Sequence, residues 1–317
     1  MDKTLFLIGP RGWCAGVERA IGILNAALEN LPSPIYVRRE IVHNKNVVNF
    51  YRSRGVIFVS EISEVPAGRT AIFSAHGIAP SVAMEARERG INIIDATCPL
   101  VTKVHFEVQR FVKKGYTVLY IGHRNHEEAA GVLGEAPEKI RIIETEEEAR
   151  ILNLPSSKII ILTQTTLSVD DTNKIIDVLK KRFPRVELPP KEDICYATTN
   201  RQLAVKTLIA KHPIELLYVI GSKNSSNSNR LCEVAETLGV PSRLIDGQSN
   251  IKPKDWEDKA LIGLTAGASA PESLVQEVAK FFKAHGYNVQ ETIFEREDVT
   301  FALPKELSEL AAAHGKR

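Results

Sequence analysis

Four cysteines punctuate this chain, and three of them share a setting. Cys14 lies in GWCAGVERA, Cys98 in DATCPLVTKV and Cys195 in DICYATTNRQ. Each stands where a helical pattern begins, and together they divide the chain into similar lengths. The first residues of a helix favour anionic sulfur. Three sulfurs brought to one central point would make a metal or redox centre. None of the stretches has the CxxC spacing of a zinc ribbon or a simple ferredoxin. An iron–sulfur cluster normally takes four thiolates. Three would leave one metal position without a protein ligand, and in catalytic metal sites substrate binds at such a position. Cys232 is a fourth candidate, but it falls mid-helix in LCEVAETL, where cysteine commonly packs as a small hydrophobe.

A second set of residues follows predicted strands. These are FSAHG with His76, YIGHRNH with His123 and His126, LTQTT with Thr165, VIGSKNSSNSNR with Ser225, Ser226 and Asn227, and LTAGAS with Ser269. EIVHN adds His43 after an extended segment. Ligands of α/β sheets sit beyond the carboxyl ends of the strands. Hydroxyl, amide and imidazole groups there suit a small anion. Ser225–Asn227 immediately precede a helical pattern, where unpaired amides and the helix dipole attract phosphate. The same residues also serve as ordinary caps. Glu127 and Glu128 follow His126, and one of them in a closed site would be a proton donor.

The elements that position these groups alternate. Strands are expected at 4–9, 35–40, 56–60, 70–76, 91–97, 117–123, 140–144, 158–165, 216–222, 242–246, 260–266 and 299–303. Helices are expected from Cys14 to Asn30, around 80–89, from Cys98, from Ser168, from Cys195, at 226–239 and at 271–284. Strands this apolar are covered on both faces, so the class is α/β. The expected organisation is a first α/β unit at 1–97 including the N-terminal strand, a second at 98–194, a third at 195–284 and a tail at 285–317.

Composition excludes several classes. Of 317 residues, 44% are hydrophobic and 25% charged, with a net charge of +2. Broad nucleic-acid binding normally needs a clustered basic face. Four sparse cysteines do not make a disulfide scaffold. No apolar run approaches a membrane span, and the run in TLFLIGP is too short for a signal-peptide core. A soluble cytoplasmic protein is the expectation. PRGWCAG replaces the GxGxxG fingerprint of a nicotinamide site after the first strand.

Read together, PRGWCAGVERA, EIVHN, FSAHG, DATCPLVTKVH, LTQTTLSVDD, DICYATTNRQ, GSKNSSNSNRL and TAGASAP resemble the motif series of the 4-hydroxy-3-methylbut-2-enyl diphosphate reductases, from about Pro10 to Pro271. The resemblance implies a trefoil of three similar α/β units around a central iron–sulfur cluster. It implies one 4Fe–4S cluster per chain, held by Cys14, Cys98 and Cys195, with the fourth iron open to the substrate hydroxyl. His43, His76, Ser225, Ser226, Asn227 and Ser269 would bind the diphosphate. His126 and Thr165 would line the substrate pocket, and Glu128 would relay protons. The implied reaction removes the allylic hydroxyl as water and yields isopentenyl and dimethylallyl diphosphate. An external electron donor such as a ferredoxin or flavodoxin is implied. In one loop the family reads GHxxHPEVxG, whereas this chain has GHRNHEEAAG, placing Glu127 for Pro and Ala129 for Val. Glu127 thus competes with Glu128 as the acid. Two other readings of the cysteines stand beside this one: a zinc hydrolase acting on a phosphorylated substrate, and an iron–sulfur redox sensor. A sensor has no need of the polar strand ends.

Overall fold

A computed structural model of the chain describes residues 3–155, 158–305 and 307. The strands are β1 (Thr4–Gly9), β2 (Tyr36–Arg38), β3 (Ile57–Val59), β4 (Thr70–Phe73), β5 (Asn92–Asp95), β6 (Thr117–Ile121), β7 (Ile140–Ile143), β8 (Ile159–Thr163), β9 (Leu216–Ile220), β10 (Ser242–Ile245), β11 (Leu261–Ala266) and β12 (Asn288–Ile293). The helices are α1 (Ala15–Asn30), α2 (Lys45–Ser53), α3 (Pro80–Glu88), α4 (Pro99–Lys113), α5 (Glu127–Leu133), α6 (Glu146–Ile151), α7 (Val169–Arg182), α8 (Tyr196–Lys211), α9 (Ser226–Thr237), α10 (Pro253–Trp256) and α11 (Glu272–Ala284). The strands form three sheets, and the pairings within each are parallel. This is the expected α/β class. The chain divides into two compact units.

The first unit comprises Met1–Val17, His43–Phe50 and Tyr196–Val299. Its sheet has the order β10-β9-β11-β1-β12. The strand period of two separates its two cores. Leu5, Leu7 and Tyr218 face Trp256, Val278 and Phe282. Phe6, Ile8, Leu217 and Val219 face Val205 and Leu208 of α8 and Leu231 of α9. Each such side chain contributes about 2 kcal/mol through burial.

The second unit comprises Glu18–Val42, Tyr51–Cys195 and Thr300–Arg317. It holds two sheets, β3-β2-β4-β5 and β7-β6-β8. Val104, Val108 and Phe111 of α4 cover one face of the latter, against Val118, Tyr120 and Leu162. Ile175 and Leu179 of α7 cover the other face, against Leu119, Ile121 and Ile161. Ser168 caps α7, its hydroxyl accepting from the Asp171 N–H. The helix thus starts where the sequence placed it, from Ser168.

Two expectations about the ends change. β1 pairs with β11 and β12, so the N-terminal strand joins the sheet of β9–β11 rather than that of β2–β5. The tail supplies β12, and not through VTFAL. Residues 299–303 carry no strand. The Arg19 Nε–H donates to Ala302 O at 2.9 Å, and Leu303 lies against Gly22 of α1. β12 reads NVQETI and is half-buried only at Val289 and Thr292, its other positions being exposed. An edge strand needs no continuous apolar run, which is why its sequence gave little signal. No described helix is long and apolar enough to cross a membrane.

Candidate functional site

The three cysteine loops share one backbone construction. The Cys14 N–H donates to Ala268 O at 3.2 Å, the Cys98 N–H to Ala75 O at 3.0 Å and the Cys195 N–H to Thr165 O at 3.0 Å. Each acceptor lies two residues beyond the end of a strand: β11, β4 and β8 respectively. Each cysteine immediately precedes a helix: α1, α4 and α8. Side chains differ among the three loops, so the repetition is one of geometry. None of the four cysteines is disulfide-bonded.

In the first unit, the polar strand ends gather. α9 begins at the carboxyl ends of β9 and β11, held there by two glycines. A Cβ on Gly221 would fall 2.1 Å from Ser228 Oγ, and one on Gly267 would fall 2.0 Å from it. Ser225 caps α9 by accepting from the Ser228 N–H at 3.3 Å. The Ser269 hydroxyl donates to His43 O at 2.9 Å and lies 3.5 Å from Ser225 Oγ. Asn227 accepts from the Ala268 N–H at 3.0 Å, which ties it to the residue that anchors Cys14. His43, Ser225, Asn227 and Ser269 are all buried, and Ser226 opens α9 beside them. A helix N-terminus ringed by hydroxyls and amides can hold a phosphate group.

In the second unit, a chain of contacts follows β4, β6 and β8. His126 caps α5, its Nδ1 accepting from the Glu128 N–H at 3.2 Å. Its ring meets that of His76 edge-on, with centroids 5.9 Å apart. His76 Nδ1 lies 3.3 Å from Glu127 Oε2, and Glu127 Oε1 is 3.7 Å from Arg39. Glu128 turns the other way. Only 2% exposed, it accepts from the Thr165 N–H at 2.8 Å and the Thr165 hydroxyl at 2.9 Å. Burial pushes its carboxyl up to about 7, against the opposing pull of those two bonds. The two adjacent glutamates therefore divide their work. Glu127 pairs with Arg39 and lies beside the His76 ring, and Glu128 is a buried acid poised near neutrality. Thr165 joins this acid to a cysteine loop, since its carbonyl accepts from the Cys195 N–H.

Residues 5–283 match the sequence profile of the LytB protein family. The chain belongs to that family. It is 50% identical to the 4-hydroxy-3-methylbut-2-enyl diphosphate reductase of Aromatoleum aromaticum, covering 96% of this chain and 98% of the relative. It is 51% identical to the reductase of the same name from Azoarcus sp., covering 97% and 99%. The solved E-1-hydroxy-2-methyl-but-2-enyl-4-diphosphate reductase of Plasmodium falciparum superposes with a TM-score of 0.94 at 38% identity, covering 99% of this chain and 100% of that one. Membership makes the chain an oxidoreductase, and the family implies an iron–sulfur cofactor. The donor set fits: three cysteines in one repeated backbone setting, each at a helix start. Cys232 is not in that setting. It packs against the core beneath α9, and burial pushes its thiol up to about 11.

Arg201 carries a role that the sequence reading missed. It is 1% exposed and sits in the weakly patterned helix α8. Its guanidinium donates to Gly12 O at 2.8 Å and pairs with Glu297 at 2.9 Å. It therefore holds the loop that carries Cys14. α8 buries Thr198, Arg201 and Gln202 together with its apolar residues, which is why no one-sided stripe marks it. Arg201→Met would leave Glu297 without this cation. An unfolding-stability loss of about 3 kcal/mol is expected from urea melts. A change below about 0.5 kcal/mol would show the pair to be an ordinary surface contact.

Proposed function

We propose that this chain reduces (E)-4-hydroxy-3-methylbut-2-enyl diphosphate to isopentenyl and dimethylallyl diphosphate, the last step of the non-mevalonate isoprenoid route. In this reading Cys14, Cys98 and Cys195 hold one 4Fe–4S cluster. When bound, that cluster would supply the electrons, and three cysteines would not furnish a thiolate to every iron. His43, His76, Ser225, Ser226, Asn227 and Ser269 take the diphosphate, with His126 and Thr165 toward the same substrate. His43, Ser225, Asn227 and Ser269 are buried, which limits competing water and strengthens their hydrogen bonds to an anion. Glu128 delivers the proton through Thr165. Two electrons and two protons enter, the allylic C–O bond breaks, and water leaves. A single-electron carrier such as a ferredoxin or flavodoxin supplies the electrons.

The observation that carries the reading is Thr165. One residue contacts both a buried acid with a carboxyl near 7 and the loop of a cysteine ligand. A proton donor is efficient when its pKa lies near the working pH. The named relatives supply the substrate. The test is the anaerobically reconstituted protein with a chemical reductant and the diphosphate alcohol. Release of both five-carbon diphosphates is expected. A colourless, zinc-loaded protein with no turnover would reject the reading.

A further inference from the structure

We propose that Lys103 is a positioning residue that fixes the Cys195 loop against the helix begun by Cys98. This rests on the reading that both cysteines ligate one cluster. Lys103 lies in the second turn of α4, for which Cys98 is the N-cap residue. Its ammonium donates to Lys191 O at 2.8 Å, to Glu192 O at 3.1 Å and to Asp193 Oδ1 at 2.7 Å. An ammonium has three N–H donors, and the three acceptors take all of them. All three acceptors belong to the segment that leads directly into Cys195. Asp193 completes the clamp from the other side, its Oδ2 accepting from the Thr163 N–H at the end of β8 at 2.9 Å.

The electrostatics make the arrangement specific. The Asp193 side chain is wholly buried, and Lys103 is the cation that meets it. Glu107, one turn along α4, lies 3.6 Å from the same ammonium. Two carboxyl groups thus share one cation, and its removal would leave the buried Asp193 charge without its cation. Arginine cannot replace the lysine. A planar guanidinium presents a fork rather than a tripod, so it cannot meet two successive carbonyls and a carboxylate in the same way. Residues that orient metal ligands without touching the metal change metal affinity by about ten- to a hundredfold when lost.

The experiment compares the full-length parent with Lys103→Met and Lys103→Arg, first without the cluster. Hydrogen exchange at residues 191–195 and alkylation of the Cys195 thiol are the readouts. Both are expected to rise by about tenfold in Lys103→Met, while exchange in β6 and β8 stays slow. After anaerobic reconstitution, iron loss to a chelator is expected to accelerate by a similar factor. If Lys103→Met fails to fold, Lys103→Arg carries the test, because it keeps the charge and loses the tripod. Exchange and alkylation within twofold of the parent in a folded variant would overturn the proposal. A parent that never binds a cluster would instead reject the ligand assignment, and the apo readouts would still decide whether the clamp exists.

Discussion

Serine at Cys14, Cys98 or Cys195 is expected to abolish iron retention and turnover, whereas Cys232→Ala is expected to keep both. The three loops present their cysteines through the same bond, from the cysteine N–H to a carbonyl two residues past a strand end. Serine preserves that bond and the helix start, and removes only the soft thiolate that iron–sulfur sites select. Folding should therefore survive, and thermal melts of the apo proteins should agree with the parent to within about 1 kcal/mol. Absorbance near 400 nm and bound iron and sulfide should fall to background in each serine variant, and activity with them. Cys232 packs against the cluster that holds Val205, Leu208 and Leu231 and shares a weak hydrogen bond with Ser242, so its alanine variant should lose only these, about 1 kcal/mol. Loss of the iron in Cys232→Ala, or its retention in any two of the serine variants, would sink the three-ligand assignment.

Much of this was legible in the sequence because the chemistry-bearing residues lie where simple patterns end. Apolar runs such as KIIILTQT and LLYVIGS announce buried parallel strands, and the polar residue that follows each run falls at the carboxyl edge of its sheet. The start of α7 at Ser168 was legible for the same reason, a capping hydroxyl before a helical stripe. What escaped was set by partners distant in sequence. The pairing of β1 with β11 and β12 follows from sheet order, which no local pattern encodes. Arg201 and Lys103 look like ordinary helix cations, yet one reaches Gly12 and the other residues 191–193. The loop GHRNHEEAAG left two glutamates in competition. Only their burial separates them, since His126 as N-cap turns Glu127 toward Arg39 and Glu128 toward Thr165. The repeated cysteine geometry is likewise invisible in the residues, because backbone hydrogen bonds tolerate any side chain.

Glu128→Gln is expected to slow turnover by at least about a hundredfold while leaving substrate affinity within a fewfold, the pattern of a lost general acid. Glutamine keeps the volume, and its carbonyl can still accept from the Thr165 N–H. The Thr165 hydroxyl can reverse and accept from the new amide, so the pocket stays satisfied. What disappears is the transferable proton. In the parent the carboxyl sits near 7, so its protonated fraction falls as pH rises through that value, and turnover should fall with it. Glu128→Gln should lack that alkaline limb, whereas Glu127→Gln should retain it. Stability supplies an independent check with a definite sign. Burial raises this carboxyl from its ordinary value of 4.5 to about 7. Between those values the folded protein binds a proton that the unfolded chain has released. Stability therefore declines as pH rises through this window, by about 3 kcal/mol in all for this one group. Relative to the parent, Glu128→Gln should gain that amount between pH 5 and pH 8 in urea melts. A constant difference across the window would show that Glu128 is already ionised at neutrality, and would move the proton donor elsewhere.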